Sequence, residues 1–131
     1  MKDYVLDTHA FVWWVARPKR LGRAARRTLG DVDAGRARAW LPAILGVELT
    51  LLAEHGRRLI GVAELDAAMK RNDLVSVLPL DLAQATEFAL LGVLPDPFDR
   101  MIVAAARTTG RPLLTADAVI SESGLVEVIW D

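Results

Sequence analysis

Five short apolar runs alternate with helical stretches along this chain, and that alternation limits the fold more than any other feature. Residues 4–7 read as a buried strand, begun by Tyr4, Val5 and Leu6 and closed by Asp7. Residues 39–41 read as a second strand, stopped by Pro42. Further strands are expected at 75–80, 113–115 and 126–130. Helical patterns cover 8–15, 21–29, 43–55, 62–71, 82–91 and 97–107, with a short helix at 118–121. Pro18 ends the first helix. Gly30, Gly56, Gly92 and Gly110 close later ones. Asp81 suits an N-cap, and Asp96 before Pro97 supplies a cap and a proline at the first helical position. Strands alternating with helices predict a parallel sheet with helices on both faces and right-handed crossovers.

The chain has 131 residues and no long linker, repeat or low-complexity tract, so residues 1–131 are read as a single domain. Hydrophobic residues make up 53%, enough for a packed core rather than disorder. Cysteine is absent, which excludes disulfides and thiolate metal sites. The first residues carry Asp3 and Asp7 inside a strand pattern, unlike a signal peptide. No apolar run approaches the ~20 residues of a membrane span. The expected setting is soluble and cytoplasmic, with no membrane partner. Net charge is −1, yet its sign is unevenly spread. Eight basic residues lie between Arg17 and Arg38, including Arg23, Arg26 and Arg27, against only Asp31 and Asp33. A basic arm beside scattered acids suits a metal nuclease, with carboxylates for an ion and arginines for phosphate. The same arm also reads as a solvated helix face.

Four acids fall where an α/β chain builds a site: Asp7, Glu48, Asp99 and Asp117. In open α/β sheets the ligand crevice lies outside the carboxyl ends of the strands. Glu48 is the oddest of them. Its helical neighbours at three and four positions are Ile44, Leu45, Leu51 and Leu52, so its side chain points toward a core. A buried ionised carboxylate costs several kcal/mol unless paired or bound to metal. Each acid also has a structural reading. Glu48 fits the rim of a core or a bond to a distant arginine. Asp7 and Asp117 fit helix caps, and so does Asp96, while Asp99 at the third helical position favours the helix dipole. The functional reading therefore requires all four to reach one crevice tightly enough to need a cation. Two carboxylates ~4 Å apart repel by about 4 kcal/mol at an effective dielectric of 20. Without metal one or more should hold a proton. Mg²⁺ or Mn²⁺ would make the cluster favourable, whereas zinc is disfavoured with only His9 and His55 available. Such an ion supports phosphodiester hydrolysis. Thr115 and Thr8 are supporting candidates, and His9, Arg23, Arg26 and Arg27 are candidate substrate contacts.

These pieces together resemble a PIN domain, and within that family the VapC-type toxins of bacterial toxin–antitoxin pairs. The matching segments are VLDTHAFVWW at residues 5–14, Glu48 in its apolar helix, DPFDRMIVAAA at 96–106 and LLTAD at 113–117, in order across almost the whole chain. The resemblance implies a three-layer α/β/α sandwich with a five-stranded parallel sheet. It implies a Mg²⁺- or Mn²⁺-dependent endoribonuclease whose acidic quartet is Asp7, Glu48, Asp99 and Asp117, with Thr115 as the accompanying hydroxyl and Asp96 as an extra acid. It implies a cognate VapB-type antitoxin, an RNA substrate, a homodimer, and a heterotetramer or larger assembly with the antitoxin. An antitoxin arginine suits an acidic pocket, because a guanidinium bonds carboxylates bidentately. Leu94 and Pro95 stand where relatives with DPFDR often carry a histidine and a basic residue, a difference that touches substrate contacts.

Two other readings stay open on sequence. A haloacid-dehalogenase-type phosphatase also begins with an aspartate after a strand, but it needs a second aspartate where this chain has His9. A catalytically silent binding module would use the acids as caps and the basic helix for docking. Trp13 and Trp14 also admit two roles, stacking on unpaired bases or packing in the core or a partner interface.

Overall fold

In a computed structural model the chain is described at residues 1–57 and 60–131. The elements run β1 (Lys2–Leu6), α1 (Thr8–Ala16), a 3₁₀ turn (Pro18–Arg20), α2 (Arg23–Asp33), β2 (Ala37–Pro42), α3 (Ile44–Glu54), α4 (Val62–Arg71), β3 (Val75–Leu78), α5 (Leu82–Ala89), α6 (Pro97–Thr108), β4 (Leu113–Leu114), α7 (Ala118–Ser123) and β5 (Val128–Ile129). The sheet order is β3-β2-β1-β4-β5, and every pairing is parallel. This is the expected α/β architecture. The chain builds outward from β1 through β2 to β3, then returns to lay β4 and β5 on the other side of β1. Successive crossovers therefore reverse direction between β1 and β4. The right-handed rule then puts the two sets of connecting helices on opposite faces. That reversal is the topological switch point at which α/β sheets open a crevice.

Apolar side chains explain why the elements form where they do. Val5, Leu6, Leu41, Leu113 and Leu114 are fully buried, so the strands are apolar on both sides, as a covered parallel sheet requires. On α2 the buried residues are Ala25, Thr28, Leu29 and Val32, a stripe at helical spacing. This stripe accounts for one difference from the sequence reading. Gly30 does not close the helix; α2 continues through it to Asp33, because Val32 completes the buried face. The turn falls instead at Gly35, whose φ is +81°. The first strand ends at Leu6, since Asp7 is already the N-cap of α1. Pro42 does not stop β2 short but pairs within it, opposite Leu78. β3 and β5 are shorter than expected, and α5 ends at Ala89, so that Leu91 is buried in the connection that follows. No helix of the described residues is long and apolar enough to cross a membrane.

The segment after β5 is anchored on α2. The Ala25 N–H donates to the Trp130 carbonyl at 3.0 Å. Gly22, just before α2, lets the two segments close up: a Cβ there would lie 2.7 Å from Cδ1 of the Trp130 ring. Gly22→Ala should therefore lower stability by about 2 kcal/mol, in the range typical of overpacking. Chemical denaturation with Trp fluorescence measures it, and an unchanged midpoint would contradict this close approach.

Candidate active site

Two acids reach the carboxyl edge of the sheet as helix caps. Asp7 follows β1, and its Oδ1 accepts the Ala10 N–H at 2.8 Å. Asp117 lies just beyond β4, and its Oδ1 accepts the Ile120 N–H at 3.0 Å. β1 and β4 are neighbours at the switch point, so the two caps are brought side by side. Asp96 caps α6 through the Phe98 and Asp99 N–H groups at 2.8 and 3.1 Å, which sets Asp99 in the first turn. Glu48 arrives differently, from the middle of α3, which packs on both α1 and α6. Asp7, Glu48, Asp96, Asp99 and Asp117 line one cleft of about 370 Å³, together with Thr8, His9, Trp13, Ile102 and Ala116. The expected convergence on one crevice is therefore observed, and each acid that reads as a cap is also a cleft wall.

Two threonines tie the acids together. The buried Thr115 hydroxyl donates to Asp7 Oδ2 and accepts the Asp117 N–H at 3.0 Å. The buried Thr8 hydroxyl donates to Glu48 Oε1 at 2.5 Å. Glu48 is half-buried at the rim rather than enclosed in the core, because its neighbour Leu51 is 37% exposed and α3 leaves that side open. Its partner is Thr8, not an arginine. Among the described residues, no salt bridge reaches any of the five cleft acids.

The electrostatic consequence is measurable. Burial pushes the Asp7 carboxyl up to about 6; the bonds from Thr115 and Ala10 and the nearby His9 oppose that rise, and Asp117 adds to it. Asp99 is pushed up to about 7, first by burial and then by Asp96, Asp117, Glu48 and Asp7. Five carboxylates with no basic partner among the described residues form an all-oxygen donor set, which fits a hard divalent cation. The arrangement is not a finished cage. Among the described residues, no three Asp, Glu, His or Cys side chains are grouped so as to hold one ion. The acids share the cleft, but they are looser than the tight cluster expected from sequence, with Asp7 and Glu48 turned onto threonine hydroxyls.

The other candidates divide. His9 is exposed and lines the cleft. Arg23, Arg26 and Arg27 do not line it; the Arg26 guanidinium donates instead to the Lys19 and Leu21 carbonyls. A second hollow of about 490 Å³ shares Glu48 and Asp96 with the cleft and adds His55, Arg57 and Phe98. The sequence reading did not single out Ile102, although its position three residues after Asp99 puts it on the same helix face. Nor did it single out Arg57.

Because both pKa values are raised, the folded chain holds these protons more tightly than the unfolded chain does. The stability they contribute is present in full below about pH 4 and declines as pH rises toward 6 for Asp7 and 7 for Asp99. For the buried Asp7 the loss is about 3 kcal/mol. Asp7→Asn, which keeps a capping side chain, should then raise the denaturation midpoint at pH 8 in chelator-treated buffer and change it little at pH 4. Equal effects at the two pH values would contradict a strained buried charge.

Comparison with known proteins agrees with this geometry. The family model for the PIN domain matches residues 4–124. The chain is 33% identical over 119 residues to ribonuclease VapC22 of Mycobacterium tuberculosis, covering 89% of this chain and 88% of that one. Solved structures at lower identity share the fold. One is VapBC2 from Rickettsia felis bound to a DNA fragment from its promoter, with a TM-score of 0.70, 14% identity, and coverage of 98% of this chain and 99% of that one. Another is VapC20 of M. tuberculosis, a toxin that cleaves the sarcin-ricin loop, with a TM-score of 0.59, 21% identity, and coverage of 96% and 98%.

Proposed function

The chain belongs to the PIN-domain family, in its VapC-type branch, and from that premise we propose that it is a divalent-metal-dependent endoribonuclease, the toxin of a toxin–antitoxin pair. The observation that carries the reading is the meeting of Asp7, Glu48, Asp99 and Asp117, from four different elements, around one cleft at the switch point of the sheet. VapC22, its relative by sequence, is a ribonuclease, and VapC20, which shares its fold, cleaves RNA. Chains of the same fold occur in VapBC complexes. A VapB-type antitoxin is therefore the proposed partner, with a homodimer of this chain inside a heterotetramer or larger assembly. The cytoplasm is the proposed place of action.

Asp7, Glu48, Asp99 and Asp117 would hold a magnesium- or manganese-like ion, which would supply an activated water and neutralise charge on the leaving oxygen. The protein's own residues prepare that site. Thr115 fixes Asp7 against Asp117, and Thr8 holds Glu48 toward the cleft. Asp96 sets the start of α6, which aims Asp99, and adds negative charge beside it. No basic partner among the described residues neutralises Asp7 and Asp99 once they have lost their protons, which favours cation uptake.

The silent-module alternative has one observation in its favour, the absence of a finished ligand cage. A thermal-shift titration separates the two. At a hundredfold excess over Kd, Mn²⁺ should stabilise the native state by about 2.7 kcal/mol, and Asp99→Asn should reduce that gain. The same substitution should lower RNA cleavage at least about a hundredfold while the protein stays folded. No Mn²⁺ shift, or full metal-dependent cleavage by Asp99→Asn, would overturn the proposal.

A further inference from the structure

Trp13 and Trp14 are adjacent in sequence, but the fold gives them different surroundings. Trp14 turns its indole N–H toward Asp33 of α2, at 3.4 Å. Trp13 lines the acidic cleft, where the other ring is that of His9. Its indole is held on several sides. His9 lies 5.7 Å away with its ring tilted by 51°, and Trp130 lies 5.7 Å away with its ring tilted by 56°. The Arg20 guanidinium sits 5.8 Å from the Trp13 ring centre. Trp130 does not line the cleft; it packs against Trp13 and is itself pinned by Ala25 and by the close approach at Gly22. A ring braced this way is pre-organised, so little freedom is lost when something stacks on it.

Among the described residues, no lysine or arginine lines the cleft wall beside the five carboxylates. Phosphate oxygens are therefore repelled there until a cation is bound, whereas a neutral planar base is not. Outside the wall, Arg20 places a positive charge next to the aromatic surface. Resting on the nuclease reading above, we propose that Trp13, with His9 beside it and Arg20 over its ring, is the platform on which an unpaired nucleobase flanking the scissile phosphodiester stacks. Stacking of this kind tolerates any base but demands one that is unpaired. The cleft thus selects single-stranded loops over duplex RNA, and Arg20 meets the adjoining phosphate.

The test uses the full chain carrying Asp99→Asn, so that bound RNA survives. Its affinity is measured by fluorescence anisotropy for a short single-stranded RNA of mixed sequence and for a ribose-phosphate oligomer of the same length without bases. Trp13→Leu should weaken binding of the RNA by about 5- to 150-fold, while Trp13→Phe stays close to the parent. Binding of the base-free oligomer should not change in either variant. RNA should also quench indole fluorescence in the parent, and the quench should be lost in Trp13→Phe, a readout that holds even if Trp13→Leu folds poorly. Equal losses toward both ligands, or no loss toward either, would overturn the platform. The two readings fail separately. If otherwise unsubstituted Trp13→Leu protein cleaves RNA as the wild type does, only the stacking role falls. If wild-type protein cleaves no RNA with Mn²⁺ while the base-dependent loss persists, only the nuclease reading falls.

Discussion

Burial of neighbouring carboxylates at the carboxyl edge of the sheet, with their mutual repulsion added to it, is the constraint around which this structure is arranged. Asp7 and Asp99 hold protons near neutral pH because burial and neighbouring acids disfavour their charged forms. No arginine or lysine of the described residues forms an ion pair with these acids. Ion pairs form elsewhere, as between Arg111 and Asp3 and between Arg107 and Glu87. Crowding like charges costs stability, and a domain of this size has only about 5–15 kcal/mol to lose. An arrangement this unfavourable alone would become favourable with the divalent cation proposed for this cleft.

The fold lowers that cost by giving the same acids a structural task. Asp7, Asp96 and Asp117 each satisfy backbone N–H groups at the start of a helix. A strand that ends at a parallel sheet's edge and turns into a helix needs a cap at that point, so capping and site-building require the same position. Reading these residues as caps and reading them as a site were not rivals. Glu48 is the exception, since it caps nothing. It depends on α3 packing between α1 and α6 and on the Thr8 hydroxyl to bring it to the cleft.

Local signals in the sequence were followed closely by the structure. α4 spans Val62–Arg71 as its apolar spacing and flanking residues indicate, and Asp81 caps α5 through the Gln84 N–H. Features decided by tertiary packing were hidden. Gly30 reads as a helix stop, yet burial of Val32 outweighs the cost of a glycine inside α2. Glu48 reads as a core residue because its neighbours are apolar, but apolarity does not say that Val47 and Leu51 stay exposed. Trp13 and Trp14 differ by about 100° around one helix, and the distant partners Asp33 and Trp130 help to separate their roles. The looseness of the acid cluster was equally invisible, because it depends on where two threonine hydroxyls point.

The most direct test of the central claim is the proton count on cation binding. Calorimetric titration of the wild-type protein with Mn²⁺ at pH 6, repeated in buffers of different ionisation enthalpy, gives the protons released per ion. If crowded acids keep protons that a cation displaces, between about one and two protons should leave for each ion bound, and Asp99→Asn should reduce that number. Binding of Mn²⁺ with no proton release, or no binding at all, would contradict the account.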